Sequence, residues 1–128
     1  MDQLCQAALD VRLRAHAPFS KFLVGAAIED DQGRIHTGCN VENATYGLTV
    51  CAERVAVFKA ISEGARKFRR IAVAADAPKL TPPCGACRQI LWEFCGDVEI
   101  TLVNLQGRTE TLKLKDLFPR PFDDTFLG

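Results

Sequence analysis

No apolar run in this chain approaches the roughly 20 residues a membrane helix requires, so no membrane partner is expected. Net charge is absent too: sixteen basic residues balance sixteen acidic ones. Without a global field to draw phosphate backbone, nucleic acid is not an expected partner. The densest basic run, Arg66-Lys67-Phe68-Arg69-Arg70, lies between a helix stop and an apolar strand and reads as a solvated connection. Histidine occurs only twice, at His16 and His36, and neither has a partner at ligand spacing, which argues against a histidine-built metal site. No repeat, low-complexity tract or linker interrupts the 128 residues, and one domain over 1–128 is expected. No basic, apolar secretory leader is expected either. With a chain long enough to bury a core, a disulfide framework is not expected, and the cysteines suit a reducing, cytoplasmic compartment.

Cysteine is what the chain does have, six in all, and three of them carry the chemistry. Cys51 is followed two residues later by Glu53, and Cys84 and Cys87 form a Cys-x-x-Cys pair downstream. A structural zinc site closes its tetrahedron with four protein ligands, whereas a hydrolytic site supplies three and keeps the fourth position for water. Here the group beside the three thiols is a carboxylate, suited to carrying a proton next to activated water. A Cys-x-x-Cys pair alone could equally be a redox dithiol, a disulfide or half a zinc ribbon. A fourth structural ligand would have to be Cys5, Cys39 or Cys95, none of which has paired spacing with the others. These three read as buried free thiols.

Both cysteine elements fall at predicted helix starts. Cys51 to Ile61 is a good helix former ending near Gly64, and a second helix follows Pro82-Pro83, running from Cys84 to about Phe94 before Gly96. Helix N-termini stabilise thiolate charge. Three thiolates on Zn²⁺ would leave an excess negative charge, which Arg54 and the two helix ends are placed to withdraw.

Around these lie an amphipathic first helix with Leu4, Ala8, Val11 and Ala15 on one face. Strands are predicted at Phe22 to Glu29, Arg34 to Cys39, Ile71 to Asp76, Val98 to Asn104 and Thr109 to Leu114, and a short helix around Asp116 to Phe118. The order predicts an α/β fold, a mixed five-stranded sheet layered with helices.

The stretches Gly38-Cys39-Asn40-Val41-Glu42-Asn43-Ala44-Thr45-Tyr46-Gly47, Cys51-Ala52-Glu53-Arg54 and Pro83-Cys84-Gly85-Ala86-Cys87-Arg88-Gln89 together resemble the small, homotetrameric, three-cysteine cytidine deaminases. The resemblance runs from about Pro18 to Phe122. It implies the cytidine deaminase-like fold and one Zn²⁺ per chain held by Cys51, Cys84 and Cys87, with Glu53 moving protons as water attacks C4 of cytosine. It further implies that Asn40 and Glu42 hold ribose hydroxyls, that Phe22 forms an aromatic wall, and that the Ala52 backbone fixes the base. Arg54 would donate to the sulfurs and Gln89 would support them. Tyr46 and Phe122 are implied to reach across subunit boundaries in a homotetramer, with Phe126 an alternative for the same wall. The implied substrates are cytidine and deoxycytidine, yielding uridine and deoxyuridine in pyrimidine nucleoside salvage. An antibiotic aminopyrimidine nucleoside, a base within nucleic acid, and a non-catalytic zinc module are the competing readings. Asn40 with Glu42 argues against the first, zero net charge against the second, and Glu53 against the third.

Overall fold

The computed structural model describes residues 2–128. Helix α1 (Gln3–Arg12) starts at Asp2, whose carboxylate accepts from the Leu4 and Cys5 amides at 2.7 and 3.3 Å. Then come β1 (Val24–Asp30), β2 (Ile35–Cys39), α2 (Ala52–Ser62), β3 (Phe68–Ala75), α3 (Gly85–Cys95), β4 (Glu99–Val103), β5 (Thr109–Lys113) and a single-turn α4 (Leu114–Leu117). Short 3₁₀ turns occupy Tyr46–Leu48 and Asp124–Leu127. The five strands form one sheet in the order β2-β1-β3-β4-β5. Only β3 and β4 pair in parallel; the other three pairings are antiparallel. The mixed sheet follows from the connections: a two-stranded hairpin can close antiparallel, but a parallel pair needs a crossover, here made by α3.

Strand periodicity sorts the side chains onto two faces. Ala26, Ile28, Ile71, Val73, Ile100 and Leu102 face α2 and α3, where Ala52, Ala56, Val57, Ala60 and Leu91 meet them in the larger core. Ala27, Ala72, Ala74 and Val103 face the opposite way, against Leu4, Cys5 and Ala8 of α1. Each large aliphatic side chain buried there contributes about 1.5–3 kcal/mol. Two glycines allow unusually close helix seating. A Cβ at Gly25 would stand 2.8 Å from the Arg12 amide nitrogen, and one at Gly38 would stand 2.7 Å from the Ala52 carbonyl oxygen.

Several sequence-based boundaries move, among them the end of the first helix, which stops at Arg12 and leaves Ala15 outside it. Strand β1 begins at Val24, not Phe22, because the Phe22 carbonyl is taken by the Asn40 side chain and pairing with β3 starts at Val24 opposite Ala75. Strand β3 begins at Phe68, inside the basic run, so that run is only partly a connection. Arg70 there makes ion pairs with Asp2 and Glu29, Arg69 donates to the Asp31 carbonyl at 2.7 Å, and Arg66 donates to the Ile61 carbonyl at the end of α2 at 2.8 Å. The last helix begins at Leu114, whose side chain is fully buried in the larger core. Among the described residues no helix is long and apolar enough to cross a membrane.

Candidate active site

Two helix starts converge. Cys51 is the N-cap of α2 and Cys84 the N-cap of α3, with Cys87 in the first turn of α3. Each N-cap carbonyl closes its first turn, from the Val55 amide at 3.1 Å and the Arg88 amide at 2.9 Å. Neither cysteine side chain is used as a cap, so both sulfurs are free to turn toward each other.

The Sγ atoms of Cys51 and Cys84 are 3.9 Å apart, and all three sulfurs lie within 4.8 Å of one another. A tetrahedral zinc with Zn–S bonds of about 2.3 Å needs sulfurs about 3.8 Å apart, so the donor set fits that ion. Arg54 Nη2 lies 3.5 Å from the Cys51 sulfur and 3.4 Å from the Thr49 carbonyl, while its buried Nε has no partner. Hydrogen bonding from the Cys87 thiol, and then the Arg54 guanidinium, depress the Cys51 thiol to about 5 against the opposing effect of burial. Cys87, the donor in that pair, is pushed up. The cluster is thus poised to hold thiolate charge.

Glu53 is 5% exposed. Burial, reinforced by the Cys51 charge, raises its carboxyl to about 7, against the opposing pull of Arg54 and of a hydrogen bond with Cys87. A carboxyl near neutrality beside a three-sulfur set is matched to proton transfer at ordinary pH.

These groups open into a cavity of about 250 Å³ whose wall includes Phe22, Asn40, Glu42, Cys51, Ala52, Glu53 and Cys84. Asn40 is nearly buried. Its Oδ1 accepts from the Val24 amide at 2.9 Å and its Nδ2 donates to the Phe22 carbonyl at 2.8 Å, so one N–H and one lone pair remain uncommitted. Glu42 is held by the preceding loop: one carboxylate oxygen accepts from the Phe19 and Ser20 amides at 2.9 and 3.1 Å, the other from the Ser20 hydroxyl. A second recess of about 390 Å³, lined by Phe19, Ser20, Glu42, Tyr46 and Thr49, adjoins the first.

Tyr46 belongs to that second recess. It is 73% exposed and packs edge-on against Phe19 at 5.8 Å. Phe122 is outside both cavities, 55% exposed and stacked on Phe126 with ring centres 5.7 Å apart. Gln89 holds the tail, its Nε2 donating to the Phe122 carbonyl at 2.9 Å. Sequence reasoning passed over Arg88, whose guanidinium donates to the Pro83 and Leu117 carbonyls, both at 2.8 Å, and so braces the turn that delivers Cys84. Ser20, Thr49, Val73, Thr81 and Pro82 also line the cavity and were not singled out. Only Pro82, next to the cysteine pair, carried a local signal.

The model of the cytidine and deoxycytidylate deaminase zinc-binding region matches residues 1–103. The chain belongs to this family. Its similarity to individual members covers nearly the whole sequence. It is 48% identical to the cytidine deaminase of Halalkalibacterium halodurans over 120 residues, 93% of this chain and 91% of the relative. It is 45% identical to that of Sporosarcina psychrophila over 123 residues, 95% of this chain and 90% of the relative. The crystal structure of cytidine deaminase from Burkholderia pseudomallei superimposes with a TM-score of 0.91 at 43% identity, covering 95% of this chain and all of that one. The three cysteines brought together here match the family's zinc-binding character, and the family's chemistry is hydrolytic deamination.

Proposed function

We propose that the chain is a zinc-dependent cytidine deaminase of a single catalytic domain, hydrolysing cytidine and deoxycytidine to the corresponding uridines with release of ammonia, a step of pyrimidine nucleoside salvage. The observation that carries this reading is the buried Glu53 carboxyl beside three convergent sulfurs, in the wall of a cavity of about 250 Å³. Cys51, Cys84 and Cys87 hold one zinc per chain. The bound metal supplies Lewis acidity that makes water nucleophilic near neutral pH.

The protein residues then divide the work. Glu53 accepts a proton from the attacking water and delivers it to N3 of the cytosine ring as the bond to C4 forms. It afterwards carries the second proton of that water to the departing amine, so that water and cytidine become uridine and ammonia. Arg54 withdraws charge from the Cys51 sulfur, and Gln89 steadies the tail beside α3. Phe22 and the Ala52 backbone hold the base, while Asn40 and Glu42 receive the ribose hydroxyls through the lone pairs and N–H left uncommitted by the loop. The exposed Tyr46 and Phe122, with Phe126 as the alternative to Phe122, complete neighbouring pockets in a homotetramer. Six unpaired cysteines, three of them ligands, support a cytoplasmic location.

Ultraviolet monitoring of cytidine turnover, with elemental analysis of protein purified without added metal, tests the reading. Conversion to uridine with about one zinc per chain is expected. A fully active metal-free preparation, or zinc-loaded protein inert toward cytidine, refutes it. Light scattering of the same preparation should report a tetramer, and an active monomer would remove the shared pocket.

A further inference from the structure

Glu42 faces both recesses, yet most of its carboxylate is already spoken for. An ionised carboxylate offers about four lone-pair positions. One oxygen uses two of them on the Phe19 and Ser20 amides, and the other receives the Ser20 hydroxyl, which leaves one free position on that second oxygen. The Ser20 oxygen is itself constrained, because it accepts from the Phe22 amide at 3.0 Å while its only proton points at Glu42. Its second lone pair is free. Ser20, Glu42 and Thr49 are the residues common to the two recesses, so this pair stands where they meet. The loop carrying it is held in an unusual shape: Lys21 adopts φ 61°, a left-handed conformation that costs a non-glycine residue energy, with its amide bonded to the Ala17 carbonyl at 3.0 Å.

We propose that Ser20 is a specificity-determining positioning residue, fixing the Glu42 carboxylate so that Ser20 and Glu42 present only hydrogen-bond acceptors to the sugar. An acceptor-only edge selects a free hydroxyl, which can donate, and rejects an ether, fluorine or phosphate at the same position, which cannot. The inference rests on the reading of Glu42 as a sugar-binding residue. Ser20 touches Glu42 and Phe22 but lies on an exposed loop away from both cores, so replacing it leaves the fold intact.

The test measures kcat and KM for cytidine, and turnover of free cytosine, in wild type, Ser20→Ala, Ser20→Thr, Glu42→Gln and the double variant Ser20→Ala/Glu42→Gln. Ser20→Ala is expected to raise KM for cytidine about 10-fold, the scale of one hydrogen bond to a charged group, with kcat and cytosine turnover unchanged, as befits loss of uniform binding. Ser20→Thr, which keeps the hydroxyl, should restore KM. In the Glu42→Gln background the Ser20→Ala change should add little, since its partner is already altered. An unchanged KM in Ser20→Ala, no rescue by threonine, or additive losses in the double variant would overturn the proposal. If Glu42→Gln raises KM while Ser20→Ala does not, Ser20 alone is misassigned. If Glu42→Gln leaves KM unchanged, the sugar-binding reading of Glu42 falls and this proposal with it.

Discussion

Replacing Gly38 with alanine should cost activity far more than its exchange of one hydrogen for a methyl suggests. The added Cβ would stand 2.7 Å from the Ala52 carbonyl oxygen, 2.9 Å from the Val55 carbonyl carbon and closer still to the Ala56 amide nitrogen. Ordinary contact begins at 3.4 Å, and all three atoms are main chain of the first turns of α2, so the helix itself must retreat by about 0.7 Å or more. Cys51 and Glu53 ride on that turn, whereas Cys84 and Cys87 belong to α3 and would not follow. A misplacement near 1 Å costs about 10²-fold in rate, and the overpacking itself costs about 1–3 kcal/mol of stability. Steady-state deamination of cytidine, zinc content and thermal unfolding should be measured together. The matched control is Gly25→Ala, whose Cβ would meet Arg12 and Ala8 of α1, a helix that carries none of the candidate site. It should lose comparable stability and keep its activity. If Gly38→Ala retains kcat/KM, or if Gly25→Ala loses it in the same proportion to its loss of stability, the seating of α2 on β2 does not set the site geometry.

Cys84→Ala should lose both bound zinc and activity, because two sulfurs cannot complete a site built for three; elemental analysis and turnover check this together. Glu53→Ala should keep its zinc while turnover falls by about 10⁴-fold or more, since one carboxyl serves several proton transfers; loss of zinc would instead make Glu53 a ligand. The buried His36 sets Nε2 2.9 Å from Asp30 and Nδ1 3.0 Å from Glu63, an arrangement that suits an imidazolium, the form that can donate from both ring nitrogens. Burial pulls its pKa down, but the two hydrogen bonds and charges outweigh it and leave the group above its ordinary 6.5, while the bond from His36 lowers Asp30 below 3.8. A raised histidine stabilises the fold fully below about pH 6.5 and loses that contribution as pH rises through its folded pKa, and the lowered Asp30 loses its own as pH falls through its folded value. The difference in Tm between wild type and His36→Gln should therefore be larger at about pH 6 than at about pH 9; a difference that grows with pH would mean the ring is neutral when folded.

Much of the site was legible because its signals are local. Cys51 with Glu53, and Cys84 with Cys87, lie within a few residues of each other; Gly64 and Gly96 mark the ends of the helices that carry them, and Pro82-Pro83 mark the start of the second. A short apolar run marked Ile71 to Asp76 as buried strand, and the five strands were recognisable by type. The ends of elements were less so, because side chains distant in sequence decide them: Asn40 withdraws the Phe22 carbonyl from strand pairing, and Asp2 and Glu29 neutralise Arg70 so that a basic run can join the sheet.

What the sequence by itself determined is the chemistry: three thiols and one carboxyl at helix starts, in a chain with the alternation of a layered sheet. Convergence was decided only by the tertiary structure. The sulfur atoms of Cys51 and Cys84, 33 residues apart, come within 3.9 Å because α2 and α3 pack side by side on one face of the sheet. The same packing decided that His36 is enclosed between two carboxylates and is not a surface side chain, that Glu42 is gripped by Ser20, and that Phe122 lies outside the pocket of its own chain. Local sequence carries residue type and spacing, but burial and the pairing of distant polar groups exist only once the layers have closed.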